Sequence, residues 1–197
     1  MSGNLAYEEQ RREELIDGKI VMMSPRPRGN HNRVAFNIAI LFDRYLEGKE
    51  CMAYPDGTDL YLDDENHFVP DFMVVCDPDK RGDDGVVYGA PDLVVEVLSP
   101  STMRYDRGRK MEIYGQFGVR EYWLVDPNNK VIEVYRTNGS ELVFYEEYIL
   151  YAKIELEDLK REGRLPVTHF KCSLFDDLEI SIKEIFRLTV KEDYYDI

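Results

Sequence analysis

The segment LVVEVL, residues 93–98, places one acidic residue inside a nearly continuous apolar run. A run of this length and composition is typical of a strand buried in the middle of a sheet. Strand alternation would put Asp92, Val94, Glu96 and Leu98 on one face. A carboxylate in such a strand is costly unless it is paired or binds a metal. Glu96 therefore indicates either a buried ion pair or a metal site in the core.

The patterns on either side of this strand predict an α/β (α+β) fold with a mixed central sheet flanked by helices. No repeat or Pro/Gly/Ser-rich linker divides the chain, so we expect one domain over residues 1–197. Helices are predicted at 7–16, after Asn30 and up to Gly48, from a start within 99–102 to about 117, and at 180–188. Strands are predicted at 19–24, 52–62, 68–76, 93–98, 121–126, 130–136 and 142–149.

Composition limits the classes of protein and partner. No stretch of 18 uninterrupted apolar residues occurs, so we expect no membrane span. The three cysteines, Cys51, Cys76 and Cys172, form no CxxC pair, which favours reduced, buried thiols in a cytoplasmic protein. The formal net charge of −14 lowers the expectation of tight non-specific DNA binding.

Positive charge for a nucleic acid must therefore come from local clusters. Arg26, Arg28 and Arg33 lie around the start of the second predicted helix. A second group lies on the third helix and comprises Arg104, Arg107, Arg109 and Lys110. Such groups are commonly solvated faces, but they could also hold phosphates.

A second acid precedes Glu96 by one strand. Asp71 follows Val69-Pro70 at the start of a predicted strand, and it would meet Glu96 if the two strands are neighbours. Two adjacent carboxylates repel unless a cation lies between them, and their hard oxygens suit Mg²⁺ or Mn²⁺. Lys110, on the helix after the Glu96 strand, could then steady the charge that develops during phosphodiester hydrolysis.

These residues lie in three segments, ELIDGKIVMMSP (14–25), VPDFMVV (69–75) and PDLVVEVLSPSTMRYDRGRKMEIYGQFGVREYWLVDP (91–127). Together they closely resemble the bacterial Uma-type family of proposed restriction endonucleases, within the PD-(D/E)XK nuclease superfamily. The resemblance runs from about residue 7 to 136, with a looser similarity over 174–186. It implies a restriction-endonuclease-like fold, a divalent-metal-dependent endonuclease activity and DNA as the substrate. We also expect a homodimer.

The resemblance assigns a role to each candidate residue. Asp71 matches the acid after proline, and Glu96 matches the acid of the (D/E)XK element. Leu98 occupies the usual lysine position, and Lys110 matches the lysine that replaces it from the following helix. Glu14 resembles an acid placed near the metal from the first helix, and His31 matches a family histidine without a fixed role.

Plainer interpretations remain open for each residue. Glu96 could form a salt bridge with Lys110 that needs no metal, and Lys110 could pair with Asp106 four residues earlier. Asp92 could be a strand-start residue rather than a ligand, and His31 a polar residue at a helix start. The whole chain could be a catalytically silent nuclease fold that serves in binding or dimeric assembly. A nuclease acting on RNA or small nucleotides is a third alternative.

Overall fold

The computed structural model describes residues 13–22 and 29–189. Six strands form the main sheet in the order β11-β10-β9-β8-β6-β3, and only β8 and β9 among them are paired in parallel. The ranges are β3 Met52–Pro55, β6 Phe72–Val75, β8 Leu93–Val97, β9 Glu121–Asp126, β10 Val131–Thr137 and β11 Leu142–Ile149. The expectation of a mixed central sheet flanked by helices is confirmed.

A second sheet of five short strands has the order β2-β1-β5-β4-β7. Its members are β1 Glu13–Ile16, β2 Lys19–Met22, β4 Leu60–Tyr61, β5 His67–Phe68 and β7 Val87–Tyr88. The α-helices are α1 Gly29–Leu46, α2 Met103–Asp106, α3 Arg109–Phe117, α4 Lys153–Arg161 and α5 Ile182–Ile185. A 3-10 helix spans Pro78–Lys80, and a separate strand pair is formed by β12 His169–Lys171 and β13 Glu179–Ser181.

Side-chain alternation in β8 divides the core between the two faces of the main sheet. Leu93, Val95 and Val97 face α1, where they pack with Phe42. Val94 and its neighbour Leu98 face the opposite side, with α3 and the five-stranded sheet. Glu96 shares the α3 face by the same alternation. The sequence prediction of the two faces of this strand is confirmed.

The C-terminal segment covers the α1 side of the main sheet. Phe170 packs edge-on against Trp123 with ring centroids 5.1 Å apart, and Phe186 is fully buried. Asn37 of α1 donates from Nδ2 to the backbone oxygens of Ile185 and Arg187, at 2.9 and 2.8 Å. Helix α1 is thereby joined to the end of α5.

Several predicted elements differ from the structure near turns. The predicted helix at 7–16 is wrong for residues 13–16, which form β1, while residues 7–12 lie outside the described residues. Asp17 and Gly18 both have positive φ, and they close a two-residue hairpin between β1 and β2. Asp-Gly is a preferred hairpin turn, so strand pairing overrides the local helical pattern here.

Other predicted elements are broken into pieces. The helix predicted to start within 99–102 and to run to about 117 is interrupted at Gly108, where an added Cβ would lie 2.9 Å from the carbonyl oxygen of Arg104. The predicted strand at 52–62 is broken by a turn at Gly57 into β3 and β4, which belong to different sheets. The predicted terminal helix at 180–188 is largely wrong, since β13 precedes a helix of only four residues. Helix α4 was not predicted.

The expectation of three reduced cysteines is also wrong. Cys51 and Cys76 form a disulfide, whereas Cys172 is free and buried. Met52 pairs with Val75 across β3 and β6, so the two cysteines lie opposite each other at the next position. Within the described part of the chain, no helix has both the length and the apolar character needed to cross a membrane.

Candidate active site

Strand pairing brings Asp71 and Glu96 side by side. Strands β6 and β8 are antiparallel, with Phe72 opposite Val95, so Asp71 lies beside Glu96 at the next position. Asp71 Oδ2 accepts a hydrogen bond of 2.7 Å from the backbone N–H of Val97. The two acidic side chains are only 13% and 5% exposed. Two carboxylates predicted from separate sequence segments thus share one buried site.

Lys110 points into the same site from the first turn of α3. Its Nζ lies 2.7 Å from Glu96 Oε1 and 3.0 Å from Glu14 Oε1. A third acid, Asp106, has its Oδ1 at 3.6 Å. The Lys110 side chain is 3% exposed, and its Nζ lies 5.4 Å from the centre of the Phe68 ring. The structure therefore brings together Asp71, Glu96, Glu14 and Lys110.

Glu14 reaches the site from a strand, not from the helix expected for it. It belongs to β1, which pairs with both β2 and β5. Its Oε1 accepts hydrogen bonds from the backbone N–H of Val69 at 3.1 Å and from Lys110 at 3.0 Å. Its position is consequently tied to the segment that leads to Asp71.

The acids around Lys110 outnumber it. Burial raises the pKa of Glu96 well above its ordinary value, and the charges of Asp106, Asp71 and Glu14 act in the same direction, against Lys110. Burial also raises the pKa of Asp106. For Lys110, burial would lower the pKa, but the charges of Glu14, Glu96 and Asp106 outweigh it and raise the pKa. Four carboxyl groups thus have one ammonium among them, and either a proton or a further cation can supply the missing positive charge.

His31 joins the site on the side of Asp71. Its Nε2 lies 3.3 Å from Asp71 Oδ2, and its side chain is 12% exposed. Burial would lower the pKa of His31, yet the hydrogen bond and the charge of Asp71 raise it above its ordinary value. The imidazole therefore favours its charged form next to the carboxylate.

Sequence reasoning missed Tyr114 and considered Asp106 only as a pairing partner for Lys110. The Tyr114 hydroxyl donates to Glu96 Oε1 at 3.1 Å, and the side chain is fully buried. Residues 106, 110 and 114 are spaced by four, the spacing of one helix face. That spacing was the available signal, although the break at Gly108 means that it is not a single uninterrupted helix.

Asp92 lies at the other end of β8 from Glu96. Its Oδ2 accepts from the backbone N–H of Cys76 at 2.8 Å, and its Oδ1 lies 3.4 Å from Arg120 Nη1. These contacts fit the strand-start interpretation.

The basic residues around α2 and the start of α3 are largely neutralised by acidic partners. Arg107 makes two hydrogen bonds to Glu133, at 2.6 and 2.7 Å. Arg109 makes two to Asp17, both at 2.6 Å, and one to Glu112. Lys110 is buried among acids. Arg104 is exposed and is the remaining basic residue of this group. Arg26 and Arg28 lie outside the described residues.

The donor atoms fit a divalent cation that keeps several waters. Glu96 Oε1 is used by Lys110 and Tyr114, and among the described residues no hydrogen bond or ion pair engages Oε2. Mg²⁺ is commonly held through one or two carboxylates with water and substrate oxygens. Over residues 13–22 and 29–189, no group of three or more His, Cys, Asp or Glu side chains is arranged to hold a metal. A site here would therefore rest on Asp71 and on Glu96 Oε2, because Glu14 Oε1 already accepts from Val69 and Lys110.

Comparison with known proteins places this site in a wider context. The Uma2 family model, described as "Putative restriction endonuclease", matches residues 4–160. Two Synechocystis proteins recorded as uncharacterized are similar. One, slr1290, is 33% identical over 160 residues, which cover 79% of this chain and 83% of that protein. The other, sll1609, is 30% identical over 140 residues, which cover 68% of this chain and 78% of that protein.

A solved structure has a similar fold. It is the crystal structure of "a putative nuclease belonging to DUF820" from Anabaena variabilis, with a TM-score of 0.65 and 22% sequence identity. The match covers 90% of this chain and 91% of that one.

Proposed function

Because the chain belongs to the Uma2 family of restriction-endonuclease-like proteins, we propose that it is a divalent-cation-dependent endonuclease acting on DNA. The observation that carries the proposal is the placement of Asp71 beside Glu96, with the Lys110 ammonium 2.7 Å from Glu96. Two acids can hold a divalent cation and a lysine can stabilise developing negative charge, a combination that suits metal-assisted phosphodiester hydrolysis.

Asp71 and Glu96 would hold Mg²⁺ or Mn²⁺ through their remaining oxygens. Such an ion polarises a phosphoryl oxygen and lowers the pKa of a bound water. Asp71 is kept in place by Val97 N–H and His31, and Glu96 by Tyr114. Glu14 is a weaker candidate ligand, since its Oε1 already accepts from Val69 and Lys110.

Lys110 supplies a positive charge within a site that excludes most water. An ammonium held there would stabilise the charge that develops on the phosphate or orient the attacking water. Three acids within 4 Å of Nζ, at 2.7, 3.0 and 3.6 Å, keep the ammonium inside the site.

The test uses purified full-length protein with plasmid and single-stranded DNA, in Mn²⁺, Mg²⁺ or EDTA. We expect cleavage in the metal-containing samples alone, reduced at least about 100-fold in Asp71→Asn, Glu96→Gln and Lys110→Met. Asp158→Asn, an exposed change on α4, is the matched control and should cleave like wild type. Cleavage that persists in EDTA, or in Glu96→Gln, contradicts the assignment. RNA as a parallel substrate tests the choice of nucleic acid.

Cleavage of both DNA strands by a single site per chain would call for two chains, and we extend the proposal to a homodimer. Light scattering coupled to size exclusion measures the mass directly. A mass of about 23 kDa, that of one chain, at assay concentration would contradict this part.

A second function, a non-catalytic binding or assembly module, is favoured by one observation. Lys110 already lies among Glu14, Glu96 and Asp106, so the cluster can exist as an ion-pair network without a metal. Calorimetry with Mn²⁺ separates the two functions. Binding that is lost in Asp71→Asn supports the nuclease, whereas no binding supports the module.

A further inference from the structure

Asp106 has an unused acceptor pointing into the candidate active site. Its side chain is 2% exposed, and its Oδ1 has no hydrogen-bond partner. The nearest cationic group is Lys110 Nζ at 3.6 Å, beyond hydrogen-bonding distance. A buried carboxylate oxygen without a partner is uncommon in folded proteins and calls for an explanation.

A hydrogen bond to its backbone holds Asp106 in place. Asp106 is the last residue of α2, and its backbone oxygen accepts a hydrogen bond of 3.0 Å from the buried Tyr122 hydroxyl. Lys110 has a long, flexible side chain, so a change in the distance between Lys110 Nζ and Asp106 Oδ1 comes from movement of the lysine. A shift of about 0.8 Å would bring Nζ to the usual charge-assisted distance from Asp106.

Lys110 has a reason to make that shift. Its shortest contact is with Glu96, the carboxylate that the proposed function also assigns to a divalent cation. Two cations on one carboxylate repel each other strongly at such distances within a protein. Glu14 retains its contact with Lys110, but it shares the same oxygen with Val69 N–H. Asp106 Oδ1, by contrast, is buried without a hydrogen-bond partner and can accept from the displaced ammonium.

We propose that Asp106 is a positioning residue that receives the Lys110 ammonium when a divalent cation engages Glu96. The residue acts through Lys110 and does not ligate the cation. It keeps Lys110 in the site while Glu96 is occupied, so that both charges can act on the same phosphate. The inference rests on the proposed function and deepens it.

The test measures Mn²⁺ affinity by calorimetry in two backgrounds. Asp106→Asn keeps the shape of the side chain but removes its charge. With Lys110 present, we expect this change to weaken Mn²⁺ binding roughly tenfold, because the ammonium stays on Glu96 and competes. In a Lys110→Met background, the same change should alter the affinity less than about twofold, since no ammonium needs a new partner. Asp158→Asn is the exposed control.

The outcomes separate this inference from the proposed function. Equal weakening of Mn²⁺ binding in both backgrounds would mean that Asp106 acts directly on the cation. Unchanged affinity in Asp106→Asn would mean that Asp106 has no role in binding. Either result overturns this inference and leaves the proposed function standing. Failure of the wild type to bind Mn²⁺ overturns the proposed function and the inference together.

A crystal of the wild type grown with Mn²⁺ gives an independent measurement that does not depend on any variant folding. We expect Lys110 Nζ within about 3 Å of Asp106 Oδ1 and displaced from Glu96 Oε1. An ammonium that remains on Glu96 beside bound Mn²⁺ would refute the proposal.

Discussion

Replacing Lys110 with Met should destabilise the protein in a strongly pH-dependent way. The substitution keeps an unbranched side chain of similar length but removes the cation that lies 2.7 Å from Glu96 and 3.0 Å from Glu14. Removing one partner of a buried ion pair costs about 3–5 kcal/mol, because the remaining charge stays buried. We expect a loss of this size in the free energy of unfolding at pH 7.5, in EDTA.

The pH dependence follows from proton uptake. Without Lys110, the cluster can reduce its excess negative charge by binding one additional proton, on Glu96 or Asp106. In the wild type, burial raises the pKa of both carboxyls while the charge of Lys110 lowers it, so removing Lys110 raises both pKa values further. A carboxyl with a raised pKa holds more protons when folded than when unfolded, so its stability contribution is present at low pH and is lost as the pH rises. One proton corresponds to about 1.4 kcal/mol per pH unit.

The deficit of Lys110→Met should therefore be smaller at pH 5.5 than at pH 7.5, by up to about 2.7 kcal/mol for one additional proton. Urea unfolding followed by circular dichroism at both pH values measures it, with Lys160→Met on the exposed face of α4 as the control. A deficit below about 1 kcal/mol at pH 7.5 would refute the ion-pair network as an energetic feature. A deficit that does not change with pH would refute the proton-uptake argument.

Three further predictions concern single side chains. Tyr114→Phe removes the hydroxyl donated to Glu96; we expect the kcat for cleavage to fall about 10- to 100-fold, and an unchanged kcat would contradict a role in orienting Glu96. Glu121→Ala removes a fully buried carboxylate that accepts from Trp123 Nε1, Arg136 Nε and Ser173 N–H; urea unfolding should show a loss of about 3–5 kcal/mol, and a loss near zero would count against it. Gly115→Ala places a Cβ 2.9 Å from the backbone nitrogen of Leu142; the same assay should show a loss of about 1–3 kcal/mol, whereas a stabilised variant would mean that α3 and β11 can separate freely.

The sequence predicts the acidic residues of the site because a charged residue within an apolar strand is recognisable from its immediate neighbours. Glu96 interrupts an apolar run, and this observation does not depend on how the rest of the chain folds. The alternation that places Glu96 opposite Val95 and Val97 is likewise local. Asp71 needed in addition the pairing of β6 with β8, which the sequence suggests but cannot fix, because register depends on the whole sheet.

The features that were missed depend on contacts between distant segments. The Cys51–Cys76 disulfide follows from the pairing of β3 with β6, which no cysteine spacing reveals. The sequence predicts a helix around Glu14, whereas the Asp17-Gly18 turn and pairing with two neighbouring strands make it part of a strand. Pairing of Arg107 with Glu133 joins residues 26 positions apart, so a basic cluster in the sequence is largely neutral in space.

The contact of the C-terminal segment with α1 has a consequence for how the chain can be divided. The family model ends at residue 160, yet Phe170 and Phe186 are buried in the same hydrophobic cluster as α1 and Trp123. A chain ending at the family boundary would expose that apolar surface to water and leave the Nδ2 group of Asn37 without Ile185 and Arg187. We expect such a fragment to aggregate. The limit of sequence similarity is thus a poor guide to the smallest soluble unit.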